Sequence, residues 1–362
     1  MAAPSPDLIT ERLGNQRLIH PDATSPVDVV ARFGAIQAQD FPAAKWAIGL
    51  RAPHCPDADI EHAFNEGKIL RTHVLRPTWH FVAPADIRWI LSISRERVHQ
   101  ANGYYYRQAG LDARILSRSC AMIQKALDGG KAMARAELAE HLRRAKIPAD
   151  GLKLNYLVMH AELEGIICSG PRRGRQFTYM LLDERVPSSP TLNRDDAITE
   201  LTRRYFASHG PASVRDFVWW SGLTVKQARQ GIEAAGPELQ ERTIDGIAYW
   251  GFQRRGGVRP PRHSAFLLPN YDEYLIAYKD RGAVVDADRA ANIVARSGGA
   301  FSHHLIIDGR LAGSWQRTIE PASVVIEVAP YRPLTPTEQR AVAGAAECYG
   351  EFLGLPATMR IV

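Results

Sequence analysis

A chain of 362 residues that is 45% hydrophobic and 23% charged carries enough apolar material for one large core or several small ones, which excludes a disordered protein. Its formal charge of +6 and isoelectric point near 9.2 suit a polyanionic partner, but 39 acidic residues stand against 45 basic ones, so a useful positive field has to be local. Four cysteines without metal-ligand or redox spacing (Cys55, Cys120, Cys168, Cys348), no apolar run long enough to span a bilayer and no signal character in Met1 to Asp7 lead us to expect a cytoplasmic protein, neither secreted nor membrane-embedded.

The strongest pattern is a repeat, about three times over, of a short helix, a turn, a second helix and a β-hairpin. In the first copy Pro26 to Ala38 supplies one helix, Asp59 to Glu66 another and Thr72 to Val82 a β-ribbon, with Pro53 and Pro56 breaking the chain between the helices. The second copy is clearest. Leu138 and Leu142 mark a helix from Arg135 to Ala145, and Leu154, Leu157, Val158 and Leu163 mark another that stops near Gly165. Strands Ile166 to Cys168 and Phe177 to Leu181 follow, joined by a basic tip with Arg172, Arg173 and Arg175. The third copy runs from a helix at Ala197 to Ser208 through Ser213 to Trp220, then a helix capped by Thr224 and ending at Ala235. Strands near Glu241 to Thr243 and Ile247 to Phe252 complete it. Arg254 to Arg262 reads as a linker, and the last quarter turns β-rich: Phe301 to Ile307, a turn at Asp308-Gly309, Gly313 to Arg317 and Val324 to Val328, then a helix from Thr335 to about Phe352.

Three constellations carry possible chemistry. In Gln37-Ala38-Gln39-Asp40-Phe41-Pro42 the proline biases Phe41 away from helical angles, so a helix is expected to end near Gln39 with Gln37 and Gln39 pointing the same way. In a continuing helix they would lie about 200° apart and share no site. The same spacing suits two amides that merely cap a helix end. Thr72 to Val82 alternates so that Thr72, Arg76, Thr78 and His80 share one face and His73, Trp79 and Phe81 the other; its histidines lack a third ligand for a metal. Asn270-Tyr271-Asp272-Glu273 offers paired carboxylates, either for acid–base work or as a structural joint to arginines.

Gly34 to Asp40, Arg76-Pro77-Thr78-Trp79-His80-Phe81 and Asn270 to Tyr274 resemble the winged-helix DNA glycosylases of the AlkZ and YcaQ type, and the resemblance runs from about Leu8 to the C-terminus. It implies an α+β fold, mainly α, with three tandem winged helix-turn-helix units in a concave arrangement plus a C-terminal β-rich domain. The expected divisions are 1–112, 113–190, 191–258 and 259–362. In that family a glutamine, apolar residue, glutamine motif is catalytic, which points to Gln37 and Gln39; N7-alkylated purines, including those in interstrand crosslinks, are the substrates. We accordingly expect Arg71, Arg76, Trp79, His80, Arg172, Arg173 and Arg175 as DNA contacts and Asp40, Asn270, Tyr271, Asp272 and Glu273 as support. No cofactor or metal is expected, the partner is double-stranded DNA, and the protein should act as a monomer. A non-catalytic winged-helix regulator is the rival reading, since fold alone does not determine function.

Overall fold

The computed structural model describes residues 6–188, 191–252, 263–285 and 302–362; the expected Arg254 to Arg262 linker lies outside them. Helix α1 (Pro6–Asn15) precedes α2 (Pro26–Phe33), strand β1 (Ile36–Gln37), α3 (Phe41–Gly49), α4 (Asp57–Asn65), β2 (Leu70–His73) and β3 (Trp79–Val82). The three strands pair antiparallel in the order β1-β3-β2. Helix α2 stops earlier than expected: Gly34, at φ +76°, caps Phe33, so Gln37 sits on a strand and not one helical turn after Phe33. Pro42 does not end a helix either. It occupies the first turn of α3, where its missing N–H costs nothing, and Asp40 is the N-cap, accepting from Ala43 N at 3.1 Å.

The second unit follows the long α5 (Ile87–Gln108) and comprises α6 (Ala113–Leu127), β4 (Met133–Ala134), α7 (Arg135–Arg144), α8 (Gly151–Leu163), β5 (Ile167–Ser169) and β6 (Thr178–Leu181), with sheet order β4-β6-β5. After the single turn of α9 (Leu182–Arg185) come α10 (Arg194–His209), α11 (Val214–Ser221), α12 (Val225–Ala235) and the hairpin β7 (Leu239–Ile244) with β8 (Ile247–Phe252). Here the local sequence dictates the turn. Ser213 with Asp216 and Thr224 with Gln227 form reciprocal capping boxes, and Gly222 ends α11 in the left-handed region. A Cβ at Gly222 would lie 2.3 Å from the Leu75 carbonyl oxygen, so only glycine lets this turn press on the β2–β3 loop.

The last quarter contains β9 (Ala265–Leu268), α13 (Glu273–Ile276), β10 (His304–Ile307), β11 (Arg310–Ile319), β12 (Val324–Pro330), α14 (Pro336–Leu353) and β13 (Ala357–Ile361). Its sheet runs β13-β12-β11-β10-β9, with β13 parallel to β12 across α14. The Asp308-Gly309 turn and the Thr335 cap are where the sequence places them; β9 and β13 carry no turn signal strong enough to announce them. This sheet and the first unit share one core, in which Trp46, Phe64, Phe81, Trp315, Tyr349 and Phe352 are buried together. Trp46 donates its indole N–H to Leu267 O at 2.7 Å, and Trp315 donates to Leu268 O at 2.8 Å.

A second tie joins the same two parts. Arg51, just past α3, makes a bidentate pair with Asp272 at 2.9 Å for both contacts and also donates to Ala47 O, Gln16 O and Gln16 Oε1. Both side chains are almost wholly inaccessible, at 1% and 0% exposure. Removing one partner leaves the other charge buried and unpaired, which typically costs about 3–5 kcal/mol. Arg51→Met is therefore expected to lower the free energy of unfolding by about that amount, read from urea denaturation; a loss below about 1 kcal/mol would show that this pair is not a fastening.

Candidate active site

Strand β1 is two residues long and lies at the edge of its sheet, so half of its backbone groups look outward for partners. Gln37 pairs with His80 and Ile36 with Phe81, and on the far side of β3 Thr72 pairs with His80. Because Ala38 N donates to Trp79 O at 2.7 Å, Gln37 and His80 form the non-hydrogen-bonded kind of antiparallel pair, with Cβ atoms roughly 4.5–5.5 Å apart. In that pair the Gln37 N–H points away from β3. It donates to Glu273 Oε1 at 2.9 Å.

Gln37, His80 and Thr72 thus form one row across one face of the sheet, while Ile36 and Phe81 face the core behind it. Each member of that row has a buried polar atom with no hydrogen-bond partner: Gln37 Oε1, His80 Nε2 and Thr72 Oγ1. Thr78 Oγ1 and two guanidinium nitrogens of Arg76 are in the same condition. An unpaired buried polar group costs about 1–3 kcal/mol, so several together mark a surface that the protein keeps polar for use. Gln39, by contrast, is exposed; its Oε1 accepts from Trp79 N at 3.4 Å. The two glutamines therefore span a step from the buried row to the surface.

Glu273 holds this arrangement. Its Oε2 accepts from Trp220 Nε1 at 2.9 Å and from His209 Nε2 at 3.3 Å, in addition to the Oε1 bond to β1. Burial alone pushes its carboxyl up, but His209, the Gln37 N–H and nearby Arg76 outweigh that and keep it below its ordinary pKa. His209 is lowered by burial, so the pair is a carboxylate facing a neutral imidazole. Asp272 is committed to Arg51 and caps α13. Asp40 accepts from Asn270 Nδ2 at 3.1 Å as well as capping α3, and Asn270 N donates to His303 Nδ1 at 2.9 Å. Tyr271 is half-buried with φ +59°. The Asn270 to Glu273 segment is a joint that meets β1, with its carboxylates tied to named donors rather than directed outward. His303 and Arg51 complete that joint and were missed, because neither has a local spacing that links it to the glutamines.

The arginines expected on DNA are placed differently from one another. Arg71 is buried at 8% exposure; it donates to Ala38 O at 2.9 Å and Gln39 O at 3.4 Å and lies over the Trp79 and Phe177 rings. Burial lowers its pKa to about 10, still charged at neutral pH. Two of its nitrogens are directed at carbonyls of the glutamine loop, so it clamps that loop from inside. Arg76 is partly exposed, with its Nε and one terminal nitrogen inaccessible, near Glu273 and above Trp219, whereas His80 is wholly inaccessible at 0% exposure and does not present its ring to a groove directly. Arg172 pairs with Glu61 at 2.8 Å and stacks on Phe41 and Phe177. Arg173 is half-exposed and pairs with Glu137 at 2.5 Å; Arg175 is exposed. Trp79 is partly exposed beside His73, whose Nδ1 lies 2.5 Å from Glu162 Oε2.

No described helix is long and apolar enough to cross a membrane. A cavity of about 550 Å³ opens between α3 and α14, lined by Trp46, His54, Cys55 and Cys348 among others, and neither glutamine lines it. Among the described residues, the carboxylates that meet β1 and its flanks, Asp40, Asp272 and Glu273, are all hydrogen-bonded. The model of the AlkZ-like DNA glycosylase family matches residues 30–352. The chain is 23% identical over 318 residues to the interstrand DNA cross-link repair glycosylase of Streptomyces sahachiroi, covering 84% of this chain and 85% of that one. Its fold matches that of the Streptomyces sahachiroi DNA glycosylase AlkZ with a TM-score of 0.83 and 21% identity, over 100% of each chain. The chain belongs to the AlkZ-like DNA glycosylase family and is a DNA glycosylase, a hydrolase of N-glycosyl bonds.

The placement of Arg71 makes a checkable distinction. Each phosphate contact contributes about 0.9 to the slope of log affinity against log salt. Arg71→Ala is expected to leave that slope unchanged in a duplex-binding titration while lowering the rate of base excision; a slope reduced by about one would assign Arg71 to the DNA backbone after all.

Proposed function

We propose that this enzyme hydrolyses the N-glycosidic bond of N7-alkylated purines in duplex DNA, including bases tied into interstrand crosslinks, with Gln37 and Gln39 as the catalytic pair. The observation that carries the reading is the pairing of a buried, unpartnered Gln37 carbonyl oxygen with an exposed Gln39 two residues on, beside carboxylates that are all engaged. Among the described residues, no free acid stands beside these two amides to protonate a departing base. Alkylation at N7 removes that need, because the purine is already cationic and leaves as a neutral molecule. What remains is to place a water beneath C1′ and to present negative dipoles to a sugar that gains oxocarbenium character, which amide oxygens do. The relative from Streptomyces sahachiroi, an interstrand DNA cross-link repair glycosylase, supports crosslinks as part of the substrate range.

The nearest lysine to the motif, Lys45, is held by Asp57 at 2.7 Å and Glu61 at 2.8 Å. An ammonium so engaged is a poor Schiff-base nucleophile, which supports a monofunctional enzyme that leaves an abasic site intact. The three helix-and-hairpin units read as winged helices that form the concave DNA-binding scaffold.

The test is a duplex with one N7-methylguanine, incubated with protein and then heated in alkali. Wild type is expected to yield breaks at the lesion, Gln37→Ala and Gln39→Ala to fall at least about 100-fold in single-turnover rate, and borohydride to trap no covalent complex. An inert wild type, or fully active glutamine variants, would overturn the reading; a borohydride adduct would overturn the monofunctional part.

A further inference from the structure

The hairpin motif Arg76-Pro77-Thr78-Trp79-His80 is not used by the mechanism above, yet it supplies the buried imidazole next to Gln37. His80 Nδ1 lies 2.9 Å from the Thr78 carbonyl oxygen, which can only accept, so Nδ1 carries the proton and Nε2 is left as a lone-pair acceptor. Its cross-strand neighbour Gln37 Oε1 is also an acceptor, and both are buried without a partner. Two adjacent acceptors are jointly satisfied by one molecule with two O–H donors. A water so held donates both hydrogens inward and keeps its lone pairs free.

We propose that His80 Nε2 and Gln37 Oε1 together grip the hydrolytic water and that His80 takes the proton this water must lose. The assignment rests on the glutamine reading above and deepens it. In the step, a lone pair of the water oxygen forms the bond to C1′, and the C1′–N9 pair departs with the purine, cancelling its positive charge. The water oxygen, now carrying an excess proton, gives it to Nε2 and leaves the abasic hydroxyl, and the imidazolium later releases the proton to solvent. An amide is a far weaker base than an imidazole, so of the two acceptors Nε2 is the one that takes the proton in transit. Burial, with the Arg76 charge adding to it, lowers the His80 pKa to about 3. That keeps Nε2 free before reaction, yet such a base still outcompetes the strongly acidic protonated alcohol formed by attack. Thr72 Oγ1, on the other side of His80 in the same row, is placed to orient the imidazole or a second water.

His80→Ala, His80→Asn and His80→Gln are compared by single-turnover excision of N7-methylguanine, duplex affinity and thermal midpoint. The rate of His80→Ala is expected to fall at least about tenfold with affinity unchanged, through loss of the acceptor that orients the water, and to stay short of the roughly 10²–10⁴-fold of a base matched to the working pH. His80→Asn or His80→Gln, which keep an acceptor but no basic nitrogen, are expected to recover the thermal midpoint and only part of the rate. Rates within threefold of wild type in any folded variant overturn the proposal, as does a loss of rate that parallels a loss of affinity or of folded protein in all three. Gln37→Ala and Gln39→Ala run alongside. If they stay active the underlying reading fails, whereas inert glutamine variants with active His80 variants sink this assignment alone.

Discussion

The geometry of the site hangs on one carboxylate. A strand of two residues cannot hold its own register, and β1 would slip or fray if its outward N–H were left to water. Glu273 takes that N–H and at the same time binds the indole of Trp220 and the imidazole of His209, which stand on α11 and α10. A single side chain from the last quarter of the sequence therefore joins the first unit to the third. Asp272, its neighbour, fastens the same segment to Arg51. Because both charges are desolvated, their hydrogen bonds act in a low dielectric and resist exchange with solvent.

That economy of charge shapes the chemistry. The carboxylates near the glutamines are spent on structure, and Arg71 is spent on the carbonyls of Ala38 and Gln39. What is left without a partner around Gln37 is mostly neutral, an amide oxygen, two hydroxyls and an uncharged imidazole, with the Arg76 guanidinium as the one charge beside them among the described residues. Neutral dipoles fixed in advance stabilise developing positive charge without attracting a counter-ion or needing to reorganise. They suit a bond that is already weak, and would be poor tools for a base that must be protonated in order to leave.

Much of this was legible in the sequence. The order of helices and hairpins followed from apolar periodicity and from caps such as Ser213 and Thr224, since these signals act within one turn of the chain. That His80 and Thr72 share one face followed from strand alternation, while their pairing across β2 and β3 did not. Two kinds of error have physical causes. Pro42 was read as the end of the preceding helix, but proline is equally at home in the first turn of the next, and Gly34 had already stopped α2. The arginines were read as a surface population, yet Arg71 and Arg172 lie against Phe177 and satisfy internal acceptors. An arginine that stacks on aromatic rings looks the same in a sequence as one that waits for a phosphate. Contacts such as Glu273 with β1, 236 positions away, have no local signature at all.

Two of the positive-φ residues border the site. Leu75 at φ +61° and Tyr271 at φ +59° are bulky residues in the left-handed region, one just before Arg76 and the other just before Asp272 and Glu273. Each such residue costs of the order of 1–3 kcal/mol and persists only where its surroundings over-determine it. At Leu75 the surroundings are visible: tight turns close from Arg76 N to Val74 O at 2.6 Å and from Thr78 N to Arg76 O at 2.7 Å, and Gly222 of the third unit bears on the Leu75 carbonyl. The turn that swings Arg76 inward and sets His80 opposite Gln37 is thus braced from a unit nearly 150 residues further along, between positions 75 and 222. A first unit isolated from the third would lose both that brace and the Trp220 and His209 donors to Glu273. The tandem arrangement therefore has a positioning role, because packing between the units is what holds Gln37, His80 and Thr72 in one row.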